Sequence, residues 1–116
     1  MALDEAGHRL FIGCRQPAGI LIVDTISGKI VNGVDTVGDT DDVFLDAARK
    51  RLYVTGGEGF VDVLKQNGAS LVRTARIPTA AGARTSLLVS AQSRLYIAVP
   101  HRGAQNAEIR VYDVKD

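Results

Sequence analysis

The chain has 116 residues, 46% of them hydrophobic and 23% charged, and its 14 Lys+Arg against 13 Asp+Glu leave a net charge of +1. That length fits one domain burying about 65% of the surface its unfolded chain exposes. Near-neutrality without a basic stripe argues against nucleic acid or an anionic membrane as partner, and the single Cys14 excludes an internal disulfide and a multi-cysteine zinc site.

Met1 leads into Leu3-Asp4-Glu5 without the basic and apolar regions of a signal peptide. No apolar run approaches the ~20 residues that span a bilayer. The expectation is a cytoplasmic chain, or an extracytoplasmic one if it is a piece of a longer exported protein. Cys14 ends an apolar run, where a small buried thiol is the ordinary role.

In chain order, a short β-type run at Ala2–Asp4 is followed by Arg9–Ile12, by Ile20–Asp24, and, after the turn Ser27-Gly28-Lys29, by Ile30–Val34. The same series returns as Val43–Asp46, Arg51–Val54, Phe60–Leu64 and, after Asn67-Gly68-Ala69, Leu71–Ala75. Glycine in these turns supplies the positive φ that tight hairpins need. A third series runs Ser86–Ser90, Arg94–Ile97 and Glu108–Asp113, and Asp116 falls where its fourth run is due. Arg-Leu-Phe-Ile, Arg-Leu-Tyr-Val and Arg-Leu-Tyr-Ile thus recur 42 and 43 residues apart. Asp46–Leu52 carries good helix formers, but its counterparts Asp4–His8 and Ser90–Ser93 read as turns, and repeats share a conformation.

About eleven strands of roughly four to seven residues, in units of ~42 residues with four strands each, have the size of β-propeller blades. Such blades are packed on both faces, which accounts for the unbroken apolar run Ile20–Val23. The expected fold is therefore all-β, a partial propeller of four-stranded antiparallel sheets over residues 2–35, 42–77 and 85–116, the last lacking a fourth strand.

Leu52-Tyr53-Val54-Thr55 with the following Gly-Gly, and Ile22-Val23-Asp24-Thr25-Ile26-Ser27-Gly28-Lys29-Ile30-Val31, resemble the YVTN β-propeller repeat, with its YVTN core and later V-I-D-T-x-T-G-K-V-V segment. The resemblance covers essentially the whole chain; copy two departs from it with Leu64 where copy one has Asp24. It implies a scaffold fold found among surface and periplasmic proteins and in parts of redox enzymes, with no shared catalytic motif to carry over.

An arc of blades exposes the apolar face of its first and last members, which soluble monomers seldom tolerate. The expected partner is therefore a second copy, head to tail: two chains giving six blades by preference, or three giving nine. The alternative expectation is that the chain is the C-terminal part of a longer gene product.

Function is expected at the loops around the channel, at Arg15–Ala18, Thr36–Asp42, Gly57–Gly59, Thr79–Arg84 and His101–Ala107. Asp39, Asp41 and Asp42, with the Thr40 hydroxyl, offer hard oxygen ligands for calcium or magnesium. The same residues suit a solvated turn, and the D-x-[DN]-x-[DN]-G pattern is absent. Glu58, Arg84, His101 and Arg102 make a mixed-charge mouth for an anionic or sugar-like ligand, with His101 beside Glu58 as a general base; they also suit plain solvation. His8 falls on the opposite face. Gly56-Gly57-Glu58-Gly59 leads into no helix, so it is no phosphate loop, and no G-x-S-x-G elbow occurs. Arg9, Arg51 and Arg94 recur in every copy and are expected to be structural, bonding a turn carboxylate such as Asp4 or Asp46. The expected function is a non-catalytic binding scaffold with no cofactor; the alternative is a lactonase-like hydrolase or a metal-dependent enzyme.

Overall fold

Turns at matching points of the repeat fold the β-type runs into three antiparallel sheets, in a computed structural model that describes residues 1–116. The first sheet holds β1 (Ala2–Asp4), β2 (Arg9–Arg15), β3 (Ala18–Asp24) and β4 (Ile30–Asp35), adjacent in chain order. The second holds β5 (Thr40–Asp46), β6 (Arg51–Gly56), β7 (Phe60–Asn67) and β8 (Ser70–Pro78). The third has three strands, β9 (Thr85–Val89), β10 (Arg94–Val99) and β11 (Glu108–Asp113), leaving one edge of β11 open. The eleven strands and their blade-like sheets agree with the sequence reading, although lengths run from three residues in β1 to nine in β8.

The repeat is kept closely at its corners. His8, Lys50 and Ser93 are left-handed, with φ of 55°, 55° and 52°. Each carbonyl then accepts an N–H at the end of the third strand of its sheet, from Thr25, Gln66 and Val114 at 3.0, 2.9 and 2.8 Å. Ala47–Lys50 is a turn and not a helix, fixed by the Asp46 carboxylate accepting the Arg49 N–H at 3.2 Å. Copy three makes this corner with one turn of 3-10 helix, Ser90–Gln92.

Register repeats as well. Leu10 faces Val23, Leu52 faces Leu64 and Leu95 faces Tyr112, while on the opposite faces Phe11 meets Ile22, Tyr53 meets Val63 and Tyr96 meets Val111. Alternation along a strand sends these rows to opposite sides of each sheet. Two cores result. Phe11, Ile20 and Ile22 of the first sheet bury against Leu52, Val54, Leu64 and Leu71 of the second. Tyr53, Val61 and Val63 of the second bury against Leu95, Ile97 and Val99 of the third.

The two outermost faces carry the same rows without a cover. Leu87–Tyr96–Val111 crosses the third sheet, with Leu87 54% and Val111 53% exposed. Leu3–Leu10–Val23–Ile30 crosses the first, with Leu3 55% and Ile30 62% exposed.

The recurring arginines do not bond turn carboxylates. Asp4 and Asp46 are already engaged by local N–H groups, those of Gly7 and Arg49. Arg9 instead donates to the carbonyl of Gly68, in the β7–β8 hairpin, and Arg51 to that of Lys115, just after β11, each reaching the far end of the third strand of the next sheet. Arg94, on the last sheet, lies 3.9 Å from Asp113 of its own sheet. No helix is long and apolar enough to cross a membrane.

Candidate functional site at the loop face

The five loops expected at one end of the blades are hydrogen-bonded to one another. Gly57 and Glu58 donate backbone N–H groups to Asp39 and Gly38 at 3.0 and 3.2 Å, and Gly82 donates to Gly57 at 2.7 Å. Gln105 reaches from the last loop to the carbonyl of Ala81 at 2.9 Å, holding also that of Pro100 at 2.8 Å. The close approach depends on small residues: a Cβ on Gly56 would stand 2.6 Å from the Gly38 carbonyl oxygen and 2.7 Å from Val37 Cγ1.

Asp39 is the centre of charge. Its left-handed backbone, φ 55°, suits an aspartate in a turn. Arg84 meets its Oδ2 with Nε at 2.7 Å and Nη2 at 2.6 Å, and Arg15 Nε stands 3.6 Å from Oδ1. Arg15 also donates to Asp41 at 2.5 Å; that bond, and then the charge of Asp41, hold the Arg15 guanidinium above its already high ordinary pKa.

The three aspartates do not converge on one point. Asp41 and Asp42 lie in β5, so their side chains leave opposite faces of the strand. Asp41 turns to Arg15 of the first sheet, while Asp42 accepts the Ser86 N–H of the third at 2.8 Å. The Thr40 hydroxyl is buried, donating to the Val37 carbonyl at 2.5 Å and sharing a 2.8 Å bond with Thr36. No group of three or more His, Cys, Asp or Glu side chains is arranged to hold a metal ion.

Of the mouth residues, Arg84 sits in the Asp39 cluster, and Glu58 accepts the Gly38 N–H at 3.0 Å. Glu58 makes no bond or ion pair with His101, which is exposed. Arg102 lies against the backbone of Gly82, where an added Cβ would meet its guanidinium carbon at 2.6 Å. His8 lies in the corner at the other end of the strands, as expected. Cys14 is half-buried and not enclosed.

Asp62 is a structural residue that the sequence reading does not single out. It is fully buried on β7, and its carboxylate accepts the Val37 N–H at 2.8 Å and two bonds from Arg76, at 2.7 and 2.9 Å. It therefore ties the segment entering the loop face to the middle of the second sheet, and that bond holds the Arg76 guanidinium above its ordinary pKa. The signal was a charge inside an apolar run, at the repeat position held by Leu21 and Arg110 in the other copies.

The arrangement is thus a set of loops clasped by ion pairs, with the outer sides of Arg15 and Arg84 open to solvent. No family model matches the sequence. Over 110 residues, 93% of the chain, it is 31% identical to a protein of Salmonella typhimurium (strain LT2) described as uncharacterized protein YncE, and 31% identical to its namesake in Salmonella typhi. The chain spans 30% of the length of these curated relatives. It is an all-β chain of propeller-like blades, similar over most of its length to a part of the YncE proteins.

Proposed function

We propose that the chain is a non-catalytic scaffold of the YVTN propeller type, closing a ring head to tail with copies of itself and presenting the clasped loop face to ligands. The observation that carries this reading is the order of faces. The Phe11 face of the first sheet packs on the Leu52 face of the second, and the Tyr53 face of the second on the Leu95 face of the third. The two outermost faces, Tyr96 on the third sheet and Leu10 on the first, are the next pair in that series. Packing one on the other removes two exposed apolar rows from water at once.

The arginine series supports the same contact. Arg9 and Arg51 bond carbonyls at the far end of the third strand of the following sheet, those of Gly68 and Lys115. By the repeat, the acceptor for Arg94 is the carbonyl of Ile26 or Ser27 in the next copy. Two copies make six blades, the preferred assembly, and three make nine. At the loop face, Arg15 and Arg84 on a rigid base favour an anionic or sugar-like ligand.

Light scattering on the purified chain tests the assembly. A mass twice or three times 12.4 kDa is expected, and Arg94→Ala should shift it toward the single chain. A stable 12.4 kDa particle at every concentration would sink the ring.

A further inference from the structure

Two Asn-Gly pairs lie at the outer strands of the first two sheets, Asn32-Gly33 within β4 and Asn67-Gly68 at the turn from β7 to β8. Their surroundings differ. The exposed Asn32 side chain accepts the N–H of Gly33 on its Oδ1 at 2.8 Å, so the amide nitrogen of the next residue stands beside the side-chain carbonyl carbon. Asn67 makes no such bond; its main-chain carbonyl accepts the Ser70 hydroxyl at 2.9 Å, and Gly68 is held left-handed, φ 61°, with its own carbonyl taken by Arg9. β4 borders β3 alone, with a bulge where Ile30 pairs with Val23 and Asn32 with Ile22, and none of its six residues is buried. An exposed outer strand beside a bulge is the part of a sheet that opens most readily. Gly33, having no side chain, leaves the approach to its nitrogen clear.

We propose that Asn32 is a site of spontaneous deamidation, closing on the Gly33 nitrogen ahead of the Asn67 pair. Hydroxide removes the Gly33 amide proton, the nitrogen bonds to Asn32 Cγ, and the Cγ–Nδ2 bond breaks as Nδ2 leaves with its protons as ammonia. The product is a succinimide ring. Water then adds at either of its carbonyls: opening at Cγ gives aspartate, and opening at the main-chain carbonyl gives isoaspartate, whose backbone runs through Cβ and Cγ. The sequence consumes water, releases ammonia and moves no electrons between groups. Either product costs the first sheet a tie to the second. Asn32 Nδ2 donates to the carbonyl of Ala69, in the β7–β8 hairpin, at 3.4 Å, and a carboxylate has no hydrogen to give. Isoaspartate also lengthens the strand just before Val34, which packs against the first core. The chemistry needs neither ring closure nor a ligand.

The test ages the whole folded chain in mildly alkaline buffer and follows it by peptide mass spectrometry, with isoaspartate measured by enzymatic methyl transfer. The expected result is a mass gain of a single dalton at the Asn32 peptide before the Asn67 peptide, faster as pH rises, with isoaspartate and aspartate both present. Gly33→Ala is the control. A Cβ there meets only Leu21 Cδ2 at 3.5 Å and the Ile20 carbonyl oxygen at 3.6 Å, ordinary contacts that the fold accommodates, yet it crowds the attacking nitrogen. It should slow the change at Asn32 severalfold and leave that at Asn67 as it was. A first change at Asn67, a product containing aspartate alone, or an unaltered rate in the Gly33→Ala chain would overturn the proposal. Asn32→Asp, which installs one product directly, should speed hydrogen exchange at the hairpin amides of Gly68, Ala69 and Ser70; equal exchange would overturn the loss of the tie.

Discussion

Asp62 and Arg76 face each other across β7 and β8, the guanidinium meeting the carboxylate with Nε at 2.7 Å and Nη2 at 2.9 Å. The carboxylate is wholly buried, while a third of the Arg76 side chain reaches solvent. Removing one member of a buried pair leaves a charge in a poor solvent, at a cost of about 3–5 kcal/mol. Arg76→Ala, which strands the wholly buried carboxylate, should therefore lower unfolding free energy in urea by that amount, and Asp62→Ala, which leaves a guanidinium already one-third exposed, by somewhat less. Replacing both by apolar residues, with leucine at 62 as at Leu21, should recover all but the unpaired Val37 N–H, worth about 1–3 kcal/mol.

Leu71 is the outer strand's contribution to the first core, with little exposure. Leu71→Ala should cost about 2–5 kcal/mol, the range for a buried leucine truncated without collapse of its surroundings. The same change at Val72, which is 49% exposed on the same strand, should stay within about 0.5 kcal/mol. Thermal unfolding of the two variants side by side gives the comparison.

Gly56 is enclosed by the backbone of Gly38 and the side chain of Val37. A methyl there forces the loop face apart, so Gly56→Ala should destabilise by about 1–3 kcal/mol as an overpacked site. It should also speed hydrogen exchange at the Gly57 and Glu58 amides, whose bonds to Asp39 and Gly38 bracket the contact.

Asp24 illustrates pH dependence. The N–H groups of Ile26 and Ser27, at 2.8 and 3.2 Å, hold its carboxyl below its ordinary pKa, the Ile26 bond acting most strongly. Because the folded value is depressed, the stabilisation is complete above the unfolded pKa of about 3.9, and it is lost as pH falls through the folded value. Unfolding free energy measured between about pH 5 and pH 2, which brackets that window, should fall less steeply for Asp24→Asn than for the parent chain.

Much of this fold was readable because it is written three times. One αL corner is ambiguous in isolation, but His8, Lys50 and Ser93 before the same Arg-Leu pair make a rule, and the rule rejects a helix over Asp46–Leu52. What escaped depends on partners far apart in sequence. Arg9 reaches a backbone carbonyl 59 residues away, and a carbonyl leaves no mark in the sequence, so the nearer carboxylates of Asp4 and Asp46 looked like the acceptors. Loop adjacency sets Glu58 beside His101, yet the Gly38 N–H lies within its reach and takes its carboxylate. The aspartates read as one cluster because composition does not show that β5 already begins at Thr40 and splays Asp41 from Asp42.

The arginine ties run one way along the chain, from each sheet to the one that follows, so the contact proposed between copies has a head and a tail. A contact of that kind is heterologous, and it stops propagating only if the turn per copy brings the last molecule back to the first. The twist from sheet to sheet therefore sets more than shape: a variant that alters it by a few degrees would exchange a discrete particle for a filament, built from contacts that are individually unchanged.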